Sequence, residues 1–168
     1  MTIMARLFAA ASLAVAGLSA PLAAQDYEPG RLVVAVDQTD LATIATALGH
    51  TIRETGKGDE AFVAAETRDG IVYLLLGTAC DVNGVPKCQG VMIQARFDLP
   101  ERTTPETLAK TNEAQAAITV TADFKEKALV FTRYHVLDNG VTMANVVANV
   151  NVLLGVVEDA YPMAAGEE

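Results

Sequence analysis

The chain has 168 residues, a net charge of −9 and a hydrophobic share of 51%. That length holds one domain with a sizeable core and is too short for two. With 12 basic residues against 21 acidic ones, it lacks the basic stripe that phosphate contact requires, which excludes nucleic acid as a partner.

At the N-terminus, Met1 to Arg6 carries one positive charge, LFAAASLAVAGL is an apolar run, and SAPLAA supplies small residues ahead of Gln25. The pattern predicts a secretory signal peptide over 1–24, cleaved after Ala24. Its apolar run falls short of the roughly 20 residues that a membrane span needs. No cysteine follows closely enough to carry a lipid anchor. Loss of Arg6 takes the net charge from −9 to −10. A leader over 25–31, one domain over 32–162 and a flexible tail over 163–168 complete the expected organisation.

LVVAVD (32–37) is short enough for an edge strand or an extended lead-in. In QTDLATIATALGH, Thr39 or Asp40 reads as the N-cap and Gly49 lies just past the last turn. Leu41, Ile44, Ala45 and Leu48 recur at i, i+3, i+4 and i+7, which predicts an amphipathic helix. TIRETGKGDE holds at most a short strand at Ile52. AFVAAET (61–67) then passes through Arg68-Asp69-Gly70, a hairpin signal, into IVYLLLGTACDVNGVPKCQGVMIQARFDL (71–99), so a three-stranded meander is expected.

Both cysteines, Cys80 and Cys88, flank the turn of that long hairpin. In an exported chain two nearby cysteines pair as a disulfide. They bracket DVNGVPK, where Asn83-Gly84 offers positive-φ residues and Pro86 gives up a donor that a loop can spare. Closing this loop contributes about 2 to 3 kcal/mol by the chain-entropy model. A redox-active or metal-binding pair is the alternative, against which the wide spacing and the lack of a nearby histidine both count.

Pro100 ends the hairpin, and TTPETLAKTNEAQ places Thr104 at a helix cap, Pro105 at the first helical position and Glu106 in the first turn. AITVTADF and KALVFTRYHVL read as two strands around Lys125-Glu126-Lys127. Ile118, Val120, Ala122 and Phe124 form the dry side of the first, and Thr119, Thr121 and Asp123 the wet side. Asp138-Asn139-Gly140 breaks the chain before VTMANVVANVNVLLGVVEDAY. There Met143, Val147, Val150, Leu154, Val157 and Tyr161 suit a long packed helix, although the valines and the ANVNV alternation lean toward strand. Three asparagines in the run argue against a membrane span. The order helix, three strands, helix, two strands, helix indicates an α+β fold, an antiparallel sheet of about five strands with helices packed on it.

The order of elements, the GTACDVNGVPKCQGVMIQARFDL hairpin, the Asn112-Glu113 pair late in the middle helix and LDNGVT before the last helix together resemble exported members of the YbjN family. The resemblance spans Val33 to Ala160. It implies a role in sensory-transduction regulation and a fold similar to that of type III secretion chaperones, with no catalytic residues. Two features depart from the family pattern: Ala114-Gln115 stands where many relatives carry Trp-Asn, and the last helix has Leu153, Leu154 and Val157 in place of mid-helix aromatics, with only Tyr161 near its end.

The residues themselves also offer no catalytic set, metal site or cofactor motif: there is no Gly-rich phosphate loop, HExxH pair or GxSxG elbow. His50 reads as an exposed residue at a helix C-terminus and His135 as a solvated strand residue beside Arg133. Asp37 with Asp40, and Glu158 with Asp159, read as caps and solvated faces. Pairing Cys80 with Cys88 and counting outward sets Leu75 opposite Ile93, Tyr73 opposite Ala95 and Ile71 opposite Phe97, an apolar face for the helices. The other face then pairs Val72 with Arg96, Leu74 with Gln94 and Leu76 with Met92. Its apolar members Val72, Leu74, Leu76 and Met92 need cover. The last helix or the N-terminal segment can supply it, or else the face binds a protein partner or a second copy of the chain, as a homodimer. A small-ligand-binding domain is the other functional class, with Asn145 and Asn149 as candidate polar groups.

Overall fold

Asp37 starts the first helix, α1 (Gln38–Ala47), where Thr39 or Asp40 was expected to do so. Its carboxylate accepts from the Asp40 N–H at 3.0 Å, and Asp40 Oδ2 accepts from the Asp37 N–H at 3.2 Å. A second aspartate three residues on thus closes a reciprocal capping box, which makes the earlier residue the better cap. Asp40 itself is 1% exposed. Arg31 donates to its Oδ1 at 2.5 Å and Lys87 to its Oδ2 at 3.1 Å, while Lys87 also reaches Asp37 at 2.7 Å. A buried carboxylate needs such compensation, and here it ties residue 31, α1 and the cysteine loop together.

The structure is a computed structural model that describes residues 26–57 and 60–167, apart from the Asn83 side chain. The expected signal peptide lies outside the described residues. Strands β2 (Thr51–Thr55), β3 (Phe62–Glu66), β4 (Val72–Cys80), β5 (Cys88–Asp98), β6 (Thr119–Asp123) and β7 (Ala128–Val136) form one antiparallel sheet in the order β2-β3-β4-β5-β7-β6. The short β1 (Leu32–Val33) pairs with β8 (Val141–Thr142) beside it. Six strands replace the expected five because TIRET, mostly exposed, pairs along β3 as an edge strand. Helices α1, α2 (Pro105–Ala114) and α3 (Met143–Ala165) all pack on one face. Tyr73, Leu75, Ile93, Ala95, Leu129 and Phe131 point into that layer and are wholly buried. The fold is α+β in two layers.

Cys80 and Cys88 form the disulfide, and the strand register follows from it: Tyr73 faces Ala95, Leu75 faces Ile93, Leu74 faces Gln94 and Leu76 faces Met92. The loop between them differs from the expected Asn-Gly turn. Val82–Gly84 makes a 3₁₀ turn, and positive φ falls on Asp81 and Gly84. Backbone bonds of 2.8 and 2.9 Å between Val36 and Cys88 seal the lead-in to α1 against the same cysteine.

At the far edge, Asn112 on α2 acts as a substitute strand for β6. Its Nδ2 donates to the Val120 carbonyl at 2.9 Å, and its Oδ1 accepts from the Val120 N–H at 2.8 Å. Unpaired edge groups are a template for aggregation, and this amide occupies the middle of that edge.

Thr142 caps α3 by accepting from the Asn145 N–H at 3.2 Å. The helical period prevails over the valine content because one side buries Met143, Val146, Val150, Leu153 and Val157. The stripe is rotated from the expected one: Val146 and Leu153 lie at its centre, while Val147, Leu154 and Tyr161 are half-buried flanks. The helix runs to Ala165, past the domain edge expected at 162, and buries Ala164 and Ala165. Pro162 removes only one donor so near the end, and Thr107 Oγ1 holds the last turn by donating to the Ala164 carbonyl at 3.0 Å. By length and composition α3 could cross a membrane; in this fold its buried side packs the core. Phe124, expected on the dry side of β6, lies just past the strand and is exposed.

Two outcomes follow for stability. Asn112→Ala strips both partners from Val120 and is expected to cost about 1 to 3 kcal/mol in urea unfolding. The second concerns acid. Burial alone would raise the Asp37 carboxyl, but donation from Lys87 and the Asp40 N–H outweighs it and holds the group below its ordinary 3.8. A depressed carboxylate contributes stability that is complete above its ordinary value and is lost as pH falls through the depressed one. Urea midpoints measured from pH 7 down to about 2 should therefore fall more steeply below 3.8 in the wild type than in Asp37→Asn.

Candidate functional site

Because all three helices sit on one side, no described helix or strand covers the other side of the sheet. The strand registers place its residues in rungs across the strands. Phe62 faces Leu76, Leu76 faces Met92, and Met92 faces Tyr134. One rung of large apolar and aromatic side chains thus crosses four adjacent strands. The next rung reads Ala64, Leu74, Gln94 and Thr132, and beyond it lie Val72, Arg96 and Val130. Cross-strand neighbours at this spacing pack against one another, so Leu74, Leu76 and Met92 are half-buried with no described helix or strand above them. Val72 is 45% exposed, Tyr134 52% and Val136 53%.

Polar contacts frame this surface. Thr78 donates to the Tyr134 hydroxyl at 3.2 Å, and Gln94 Nε2 donates to Thr132 Oγ1 at 3.2 Å. Gly90 lies beneath Tyr134, where any side chain would run into the phenol; this lets the ring lean across the sheet. Arg53 pairs with Glu66 at the β2–β3 border. On the neighbouring strands, Val72, which faces Glu66, lines a shallow concavity of about 590 Å³ with Leu74, Arg96 and Lys127. The surface is an apolar centre with a charged rim. Such an arrangement suits protein contact, with Tyr, Met and Arg present.

Val72, Leu74, Leu76 and Met92, the residues singled out in the sequence, lie side by side here. Sequence reasoning missed Phe62, Tyr134 and Val136. The signal that could have found them was misleading, because on β7 the set Leu129, Phe131, Arg133 and His135 reads as partly wet. In the fold that set faces the helices. Arg133 donates to Asn149 Oδ1 at 2.6 Å and also to the Ala117 carbonyl. His135 is half-buried, with Nε2 enclosed and lacking a hydrogen-bond partner, so it is not the solvated residue expected. Burial, with Arg133 beside it, lowers its pKa.

Asn145 and Asn149 are held by internal bonds. Asn149 Nδ2 donates to the Asn145 carbonyl at 2.8 Å and to its side chain at 3.1 Å. With Arg133 on the other side, the pair links α3 to β7. His50 is also not the exposed cap expected: its Nδ1 lies 2.9 Å from the hydroxyl of buried Tyr73. Glu158 and Asp159 are exposed, and Asp37 and Asp40 form the α1 capping box. Among the described residues, no group of three or more His, Cys, Asp or Glu could share a metal ion.

No family profile matches the sequence, and no curated protein does. Solved structures that share the fold include YbjN from E. coli, a proposed transcription regulator, at 14% identity and a TM-score of 0.61, covering 82% of this chain and 96% of that one. An uncharacterized protein from Methanothermobacter thermautotrophicus is 9% identical with a TM-score of 0.53, covering 79% and 99%. A chain of the ExsC–ExsE complex is 14% identical with a TM-score of 0.50, covering 75% and 90%. Likeness at these identities establishes a YbjN-like α+β fold.

The two faces are separable by truncation. Val72→Thr is expected to change stability by no more than about 0.5 kcal/mol, whereas Leu75→Ala on the helix side should cost about 2 to 5 kcal/mol. Chemical denaturation of the two variants checks the assignment.

Proposed function

We propose that the chain is a non-catalytic protein-interaction module, chaperone-like or regulatory, whose working surface is the open sheet face centred on Leu74, Leu76 and Met92. The observation that carries this reading is the rung Phe62, Leu76, Met92 and Tyr134, apolar across four strands and uncovered by any described element. Leaving it in water forfeits about 25 cal/mol for each Å² that a partner would cover. Docking by strand addition is the less favoured mode, because Asn112 already occupies the backbone of edge β6, while edge β2 is bulged and carries Arg53 and Glu54. The ExsC–ExsE neighbour is a protein complex on a related fold, which agrees with a polypeptide partner.

The working place in this proposal is the cell envelope, periplasmic or secreted, after removal of residues 1–24. The Cys80–Cys88 disulfide supports an oxidising compartment, and with the hairpin it supports placing the chain among exported, cysteine-bearing YbjN-like proteins. The partner is a protein or a second copy of the chain.

Leu74→Asp combined with Leu76→Asp puts two charges on the exposed side of β4 and spares the core. The double variant is expected to remain a folded monomer and to lose partner capture from an envelope extract, or dimerisation where the wild type dimerises. A folded variant that assembles and captures partners as the wild type does would overturn the assignment.

A further inference from the structure

On the helix side of the sheet, the end of α1, the β3–β4 turn and the middle of α3 border an open cleft of about 450 Å³. His50 stands in its wall. The Tyr73 phenol behind it is fully buried, which raises its pKa and keeps it protonated, and its oxygen lies 2.9 Å from His50 Nδ1. Burial, and then the nearby Arg68 charge, lower the His50 pKa.

Arg68, from the turn, lies over the end of α1, with Nη2 3.5 Å from where a side chain on Gly49 would begin. Among the described residues it has no ion pair or hydrogen bond, and neither have the cleft carboxylates Asp69 and Glu158. Leu48, Ile71 and Leu154 supply apolar wall between these charges. Gly155 opens the α3 side: a Cβ there would meet nothing within 4 Å. Glycine is disfavoured in a helix interior, and what it leaves here is room. Ile71 and Glu158 also border a shallow apolar recess of about 350 Å³ lined by Phe97, Val157 and Tyr161.

A simple anion would satisfy Arg68 and meet two carboxylates, and a simple cation would satisfy the carboxylates and leave Arg68 unmatched. We infer that this cleft binds a small zwitterion with an apolar side chain, of the α-amino-acid class. Its carboxylate takes Arg68 on the His50 side of the cleft, its ammonium takes Glu158 or Asp69, and its side chain lies on Ile71 and Leu154. The site is separate from the open sheet face.

Calorimetric titration of the purified full chain with L-leucine and L-phenylalanine tests this. Leucinamide, without the carboxylate, and isocaproate, without the ammonium, are the paired probes. A saturable isotherm is expected for at least one amino acid, weakened about tenfold or more for either analogue. It should be lost in Arg68→Ala, an exposed side chain with no ion pair or hydrogen bond among the described residues, and in Gly155→Leu, which puts a bulky side chain into the cleft. The Leu74→Asp, Leu76→Asp variant should bind as the wild type does, so that failure here and failure of the sheet-face proposal are distinguishable. The inference is overturned by the absence of a saturable isotherm with either amino acid, by equal affinity for isocaproate, or by binding that survives both cleft substitutions.

Discussion

The pairing of β4 with β5 is the constraint on which the rest of the structure depends. Side chains alternate with a period of two, so a slip of one residue would carry Tyr73, Leu75, Ile93 and Ala95 from the core into solvent. Cys80 and Cys88 face each other at the turn end and exclude that slip covalently. Cys88 also bonds through its backbone to Val36, just before α1. Next to it, Lys87 enters the buried Asp40 cluster. Register, helix start and loop position are therefore set at one corner of the molecule.

From that corner the layering becomes one-sided. Helices α1 and α3 fill the helix face of the central strands, and α2 reaches the far edge through Asn112 and Val120. No described element is left to cross to the other side. An antiparallel sheet tolerates one wet face, but here the centre of that face is Leu74, Leu76 and Met92 in place of polar residues. The two edges are blunted by different means, a side-chain amide at β6 and a bulge with charges at β2. Both edges are thus protected from open-ended strand pairing, while the apolar face between them stays open.

Much of this was legible in the residues. Thr104-Pro105 announced α2, Asp69-Gly70 and Asn139-Gly140 marked turns, and the two cysteines set the register from which Val72, Leu74, Leu76 and Met92 could be grouped. Other features were hidden for identifiable reasons. The N-cap shifted to Asp37 because the capping box depends on two aspartates acting together. Arg133 and His135 looked solvated because a strand pattern reports polarity and not partners; in the fold Arg133 is bonded to Asn149 and Ala117. Phe62 and Tyr134 could not be added to the face until the pairing of β3 and β7 with the hairpin was known.

The sequence by itself determined the local periods, the turn positions and the register of the cysteine hairpin, since each depends on residues near one another along the chain. Only the tertiary structure decided which face of the sheet the helices would take and which would stay open. Only it brought His50, Arg68 and Glu158 to one cleft, from three elements far apart in sequence. Both outcomes depend on how separate elements pack, and no period within a single element encodes where the others will lie.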